Sequence, residues 1–559
     1  MNVCLRPSSD SSYSNDSSRL FCYTGSVKVL LVQPPIEDFY DTSIRTYPLG
    51  LAYIASRIRD ICDVEILDCR TGFGARQPKN NDFPELAPFY RDDRQTPFSL
   101  FRPYSRYGMR RKVIGAAIRE AAPDVVAIAS SFTAYSREAR EVAAIAKEVD
   151  GGIVTVMGGT HATLFPAHVL GDGSVDYCVR GEGETPFFEF IRALASRNAG
   201  RMTSVPGLTF RRDGVLHVGG IHIEENIDLL PARDLLPAGK YRIGKSPYTF
   251  FLTSRGCPFQ CSFCGKPPVP YRRRTVGAIE KELSEIERMG IAAIDFEDDM
   301  LNLDIPFFHR VLDLMKGRGF TLSAMNGLYS HTLDAATLVK MREAGFSRLN
   351  FSLVDTSPAL HARQRRKYPA NFLGLLDWLE SSDFLIETHF IVGLPGQTPA
   401  EIVDTMVFLM GKRMLPGPSI YYPAPGSPLF DEICGSDPAA RFPATRSSVM
   451  FQANPLFRRE TTFTFMKLLR FMNVVKALID VSPGASTLSD LARADRLRKN
   501  PRDLHIFSSL LEQKRFLWFD TGGNDFVEEP QDAGIVVAFF KAMEGKIIKG
   551  FRTSNSVRV

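Results

Sequence analysis

Cys257, Cys261 and Cys264 stand four and then three positions apart in RGCPFQCSFCGKP, residues 255–267, directly after the apolar run TFFLTS. Three thiolates are one short of closing a tetrahedral zinc site, and no histidine or fourth cysteine lies nearby in sequence to complete it. On a 4Fe-4S cluster, by contrast, three cysteines leave one iron without a protein ligand, and that open position can chelate a small molecule. An incomplete ligand set is what catalysis needs. The chain has nine cysteines in 559 residues. Residues 1–26 are Ser-rich and polar, without the basic and apolar regions of a secretory signal, and read as a disordered tail. Together these point to a reducing, cytoplasmic setting in place of a disulfide framework.

A loop can hold three thiols in register only if rigid elements fix its ends. From Thr249 the sequence alternates apolar strand patterns with amphipathic helix patterns: TFFLTS, AIEKELSEIERMG, AAIDFEDD, PFFHRVLDLMKGRG, TLSAMNG, DAATLVKMREAG, RLNFSLVD, and on through FLIETHFIVGLPG to GPSIYYPAPGSPL. Six such units over residues 247–430 predict an open, partial (β/α) barrel whose chemistry lies at the carboxyl ends of its strands. The cysteines follow the first of those strands. The acidic end DFEDDM (Glu297, Asp298, Asp299) follows the second.

A separate alternation precedes it, predicting an α/β, Rossmann-like domain over residues 27–200: VKVLLVQPP, GLAYIASRIRD, VEILDCR, then, after an irregular stretch from Thr71 to Tyr107, IGAAIREAAP, DVVAIASS, SREAREVAAIAKEV, GIVTVMGG and VDYCVRGEGE. Ser130 and Ser131, and Gly158 and Gly159, end two of its strands, where a parallel sheet binds ligands and small residues let them approach the backbone. No G-x-G-x-x-G follows the first strand, so a dinucleotide site is unsupported. Residues 201–246 read as a hairpin and Pro-rich connector, and residues 431–559 as a mostly helical region, expected as a cap over the barrel mouth. A net charge of +5 on this length is weak, and the basic runs Tyr271–Thr275 and Arg363–Tyr368 are short, so they read as solvated charge and not as a nucleic-acid surface. No apolar run is long enough to span a bilayer.

With Cys257-x3-Cys261-x2-Cys264 after the first strand of a six-unit β/α pattern, the second half resembles the radical S-adenosylmethionine superfamily. The resemblance implies that the open iron binds the amino and carboxylate groups of S-adenosyl-L-methionine and that an electron from the cluster cleaves it to a 5'-deoxyadenosyl radical. It also implies that Phe263 borders the adenine and that Glu297, Asp298 or Asp299 receives the methionine amino group. Asn326 and Ser352 would contact ribose or carboxylate. Gly393 and Gly396 would let the backbone approach the adenine, and Tyr421 and Tyr422 fall on the matching sixth strand.

The first half resembles the cobalamin-binding domain of the cobalamin-dependent members, through VLLVQPP, PLGLAYIAS, MGGTHATLFP and VDYCVRGEGETPF. In that reading the nucleotide tail of cobalamin lies along Ser130, Ser131, Gly158 and Gly159. The axial histidine of D-x-H-x-x-G is missing, with Tyr40 or Arg45 as candidates to approach the cobalt, and His161 reads as a strand-end surface histidine. The implied activity is methylation of an unactivated carbon of a small-molecule or peptide substrate, with a reducing partner such as flavodoxin or ferredoxin. The alternatives are radical cyclisation or rearrangement without methylation, a barrel whose first domain no longer binds cobalamin, and a binding or sensing protein without turnover. A methylthiotransferase would carry further cluster cysteines at strand-end motifs, and Cys62, Cys69 and Cys178 do not sit in such motifs.

Overall fold

The computed structural model describes residues 26–40, 46–71, 77–78, 82–91, 94–99, 101–171, 173–196, 199–266, 269–435, 437–491 and 500–551; the expected N-terminal tail lies almost wholly outside them. The run KVLLVQ forms strand β1 (Lys28–Gln33), and its alternate residues face opposite ways. Val29 and Leu31 join one apolar cluster and Leu30 and Val32 another. All four are buried, each contributing about 2 kcal/mol. Helices Leu49–Ile58 and Glu184–Ala195 cover the first face, and Arg111–Ala121 and Ser136–Val149 the second, as a doubly wound sheet requires.

Beside β1 lie β2 (Asp63–Asp68) and β3 (Val125–Ala129), followed outward by β4 (Val154–Gly158), β5 (Tyr177–Val179), β6 (Leu208–Arg212) and β7 (Val215–His217) in a seven-stranded sheet ordered β7-β6-β5-β4-β3-β1-β2. The first five in sequence are parallel, and their order, 2-1-3-4-5, reverses between β1 and β3. The hairpin β6–β7 does more than connect: it extends the sheet antiparallel along β5. The irregular stretch also gains structure. Phe101–Tyr107 pairs antiparallel with Ile36–Tyr40, and Phe39, Phe83, Tyr90 and Tyr104 form an aromatic cluster beside them.

The barrel strands are β8 (Ser246–Phe251), β9 (Ala293–Phe296), β10 (Thr321–Ser323), β11 (Arg348–Val354), β12 (Leu385–Val392) and β13 (Leu415–Ile420). β8–β10 and β11–β13 form two parallel sheets, bridged by the isolated parallel pairings Leu322↔Phe346 and Leu328↔Phe351. The intervening helices start where the sequence supplies caps. Thr275, Asp304 and Asp334 each accept a hydrogen bond from the first turn, and Thr398 forms a reciprocal capping box with Glu401.

The long helix Arg459–Ile479, in the region expected to cap the mouth, packs along β13 and helix Pro399–Met410 at the barrel's flank. The reason is its apolar face: Phe465, Leu468, Leu469, Met472 and Val475 join the barrel's own core, and Lys476 Nζ donates to the carbonyls of Met410 (3.3 Å), Lys412 (2.6 Å) and Lys549 (2.6 Å). Among the described residues no helix is long and apolar enough to cross a membrane.

Candidate functional site

After β8 the chain pairs Ser254–Arg255 antiparallel with Arg272–Arg273, which pinches the cysteine loop at its base. Gly256 adopts φ +89°, and a Cβ there would lie 2.4 Å from the Pro270 carbonyl oxygen, so only glycine fits. Ser262 N donates to Gln364 O (3.2 Å) and Leu429 N to Ser262 O (3.1 Å), fastening the loop to segments that follow β11 and β13. Cys257 and Cys264 are half-buried, Cys261 is buried, and all three are free thiols. Arg366 Nη1 approaches Cys261 Sγ at 3.9 Å. Burial pushes the Cys257 thiol up, against the Phe259 backbone and the Lys266 ammonium, which favour thiolate.

Among the described residues no three His, Cys, Asp or Glu side chains converge closely enough for a single metal ion. The donor set fits a wider group. An iron–sulfur cluster is held by cysteine thiolates alone, and Arg366 and Lys266 stand where positive charge offsets theirs.

At the end of β9 the acidic residues divide. Glu297 is held at the mouth by Asn326, whose Nδ2 donates to its carbonyl (3.0 Å) and to Oε2 (3.2 Å). Burial, then the neighbouring Asp295, raises its carboxyl to about 7. Asp298, expected as a ligand contact, is instead 2% exposed and occupied. It accepts Thr253 N (3.1 Å), Thr253 Oγ1 (2.6 Å) and Ser254 Oγ (2.6 Å), tying β9 to the base of the cysteine loop. Asp299 pairs with Lys266.

Ser352 lies at the end of β11, beside a register shift. Val354 just beyond it takes φ +68°, an outlier for a β-branched residue. Gly393, at φ +89°, has open space where a Cβ would project, and its N–H is held by Gln397 Oε1 at 2.9 Å. Phe263 packs with Val354, Leu360, Leu394 and Tyr421. Tyr421, also expected at the ligand, is 5% exposed in that small core; the half-buried Tyr422 lies close enough to Cys264 and Asp38 for both to act on its phenol, whose pKa burial raises.

In the first domain the strand order puts the ligand crevice at the ends of β1 and β3. Ser130, 3% exposed, has a hydroxyl with no hydrogen-bond partner among the described residues, Ser131 is exposed, and Phe132 beyond them is 59% exposed. Gly159 takes φ +108°, and a Cβ there would stand 2.8 Å from Ser130 C and O, so β4 ends flush against β3. An orphan hydroxyl beside a side-chain-free shelf fits a large ligand lying over the strand ends. His161 is not a surface residue: it is fully buried, with Nδ1 3.2 Å from Thr133 Oγ1 and Nε2 3.1 Å from His168 Nδ1, under the ring of Phe442. Burial lowers its pKa to about 3. Arg45 lies outside the described residues, as does the side chain of Tyr40.

The two domains meet at these ends. A Cβ on Gly426, after β13, would stand 3.2 Å from Leu164 of the first domain and 3.3 Å from Gly265 O of the cysteine loop. Two residues that sequence reasoning missed clamp the junction. Arg255, two positions before Cys257, donates to Glu184 (2.6 Å), approaches Glu182 (3.4 Å) and lies over the Tyr53 ring; Arg272 binds Glu182 through both guanidinium nitrogens (2.7 and 2.9 Å). Burial alone would raise Glu182, but these arginines hold it below the usual carboxylate range. The paired acids in GEGE and the arginine before the first cysteine were the available signal. From the C-terminal side, buried Arg446 donates to the carbonyls of Glu37 and Ala134, and Ser448 to Asp38.

Residues 251–409 match the family model of the radical SAM superfamily, and residues 107–191 that of the B12 binding domain. The chain is 28% identical over 396 residues to the uncharacterized methyltransferase PH0819 of Pyrococcus horikoshii, covering 68% of this chain and 77% of that one. To the cytidylyl-2-hydroxyethylphosphonate methyltransferase of Streptomyces wedmorensis it is 26% identical over 411 residues, 66% of this chain and 73% of that one. Its fold resembles the radical S-adenosylmethionine methyltransferase TsrM of Kitasatospora setae, solved with cobalamin and a 4Fe-4S cluster bound, at a TM-score of 0.54 and 19% identity over 73% of this chain and 75% of that one.

Proposed function

From a chain that joins a B12-binding domain to a radical SAM domain, and so belongs among the cobalamin-dependent radical S-adenosylmethionine enzymes, we propose a methyltransferase acting on an unactivated carbon of a small-molecule or peptide substrate. When bound, the cluster with S-adenosyl-L-methionine supplies a hydrogen-abstracting radical and cobalamin a methyl group to take the hydrogen's place. The residues do the positioning. Cys257, Cys261 and Cys264 hold the cluster, and Glu297, oriented by Asn326, accepts from the methionine amino group. Gly393 leaves room for the adenosine, with Phe263 and Ser352 beside it, while Ser130, Ser131, Gly158 and Gly159 carry the cobalamin tail. The domains divide accordingly: residues 27–200 for cobalamin and 247–430 for S-adenosylmethionine.

The observation that supports this reading is the junction at Gly426, which the helix Thr160–Leu164 that follows β4 of one domain and the cysteine loop of the other both approach closely. A substrate in that seam lies between both groups and out of water, which protects a carbon radical from side reactions. The setting proposed is reducing and cytoplasmic, with the electron supplied by a partner such as flavodoxin or ferredoxin. Anaerobic reconstitution with iron, sulfide and hydroxocobalamin, followed by desalting, tests the assignment. Near-stoichiometric corrinoid and dithionite-driven release of 5'-deoxyadenosine are expected. An intact cluster without corrinoid would overturn methyl transfer and leave hydrogen abstraction by the barrel alone.

A further inference from the structure

The cysteine loop has two faces. Its Cys264 end lies in the junction with the first domain, where Gly265, Gly426 and Leu164 meet. Its other end points to water: Pro258, Phe259 and Gln260, between Cys257 and Cys261, are all exposed, Phe259 by 41%. A phenylalanine this open, two positions from each of two cysteines, is not packing the loop. Its ring stands 5.1 Å from Tyr329, tilted against it, and Tyr329 stacks 4.6 Å from half-buried His331, so three rings follow one another from the loop.

The basic run Arg363–Lys367 reaches these rings at its far end, where Arg366 lies near Tyr329 and His331, and Lys367 near His331. The basic run before the first barrel helix is neutralised in place, with Arg272 on Glu182, Arg273 on Asp304 and Arg274 on Glu282. The run Arg363–Lys367 is not. Arg363 pairs with Glu401 (3.1 Å) and Arg366 turns inward to Cys261 Sγ and the Ser352 carbonyl, but Arg365 and Lys367 are exposed and form no ion pair among the described residues. An apolar centre with a positive rim is the pattern of a transient interface, in which the rim steers an oppositely charged partner and the centre excludes water.

We propose that Phe259, Arg365 and Lys367 form the docking face for an acidic one-electron carrier protein that reduces the cluster. The proposal rests on the reading of Cys257, Cys261 and Cys264 as cluster ligands. Docking here brings the carrier beside the loop from the side away from the first domain, so the substrate seam stays closed during reduction. One electron passes from the carrier's reduced flavin or iron–sulfur centre to the cluster. The carrier is oxidised by one electron, the cluster is reduced by one, and no bond forms or breaks.

The test uses the reconstituted full chain, a bacterial flavodoxin as probe, and the variant Arg365→Glu/Lys367→Glu. Binding of oxidised flavodoxin is measured by biolayer interferometry across a salt series, and cluster reduction by reduced flavodoxin is followed in a stopped flow by loss of cluster absorbance. Wild type should bind more weakly as salt rises, and charge reversal should slow association and reduction about tenfold. Dithionite, which needs no docking face, should drive S-adenosyl-L-methionine cleavage equally in both proteins and shows that the variant is folded. Equal binding and reduction in the two proteins, with dithionite activity intact, would overturn the docking face alone. Binding of a random oligonucleotide without binding of flavodoxin would likewise overturn it. Absence of dithionite-driven cleavage in wild type would overturn the cluster reading and the proposal with it.

Discussion

Glu297→Gln separates charge from shape at the mouth of the barrel. Glutamine keeps the side chain's length and its contact with Asn326 but cannot ionise, so what is lost is the charged acceptor proposed for the methionine amino group. A hydrogen bond to such an acceptor contributes about 1.5–3 kcal/mol, which predicts an S-adenosyl-L-methionine affinity weaker by roughly 10- to 150-fold. The pH profile is the sharper readout. With the carboxyl raised to about 7 by burial and Asp295, ionisation defines the binding-competent fraction. That fraction is about 91% at pH 8 and about 9% at pH 6, so apparent affinity should fall about tenfold between them. Stability moves the opposite way. The folded, unliganded chain keeps a proton that the unfolded chain releases above about 4.5, so stability contributed by this group is lost as pH rises from there to about 7. The glutamine variant should therefore melt higher than wild type at pH 8 when unliganded. Anaerobic calorimetry of S-adenosyl-L-methionine binding from pH 6 to 8 measures the first effect and scanning fluorimetry the second. A flat wild-type affinity profile, or an equal slope in the variant, would refute the assignment of Glu297.

Arg255→Ala removes the 2.6 Å bond to Glu184 and the cation over Tyr53, and should destabilise the domain junction by about 3 kcal/mol. Lysine at this position should recover less than half of the thermal midpoint, because an ammonium cannot fork between Glu182 and Glu184. Gly159→Ala places a methyl 2.8 Å from Ser130 backbone at a left-handed φ; corrinoid retained after desalting should fall below about a tenth while bound iron is unchanged. Lys476→Met leaves three carbonyls without their shared donor and should lower stability in urea by about 3 kcal/mol, with no change in dithionite-driven cleavage per folded molecule.

Much of this architecture was legible because its signals are local. Alternating strand and helix patterns, caps such as Thr398–Glu401, and three cysteines on one loop each lie within a short window, and the strand ends follow from them. What the sequence hid is carried by distant partners. Arg446 reaches Glu37 and Ala134, and Arg255 reaches Glu184, across separations that no periodicity encodes. His161 looked like a surface residue because the ring that covers it, Phe442, arrives from the far end of the chain. The hairpin Leu208–His217 shows the same alternation whether its edge is free or paired, so its place beside Tyr177–Val179 was invisible. Glu297, Asp298 and Asp299 were indistinguishable as letters. Only the neighbours at Asn326, Thr253 and Lys266 give each its own task.

The buried Asp298 bears on tolerance to error. Its bonds to Thr253 and Ser254 make the second strand's end and the root of the thiol loop a single rigid body, so the gap between the Glu297 carboxylate and the three sulfurs is fixed by the backbone before any ligand arrives. Thermal motion that displaces one side carries the other along. If the open iron and Glu297 share the amino acid end of the ligand as proposed, that end meets a gap already set, and an analogue with its amino and carboxylate groups moved further apart would be refused by geometry, whatever its charge.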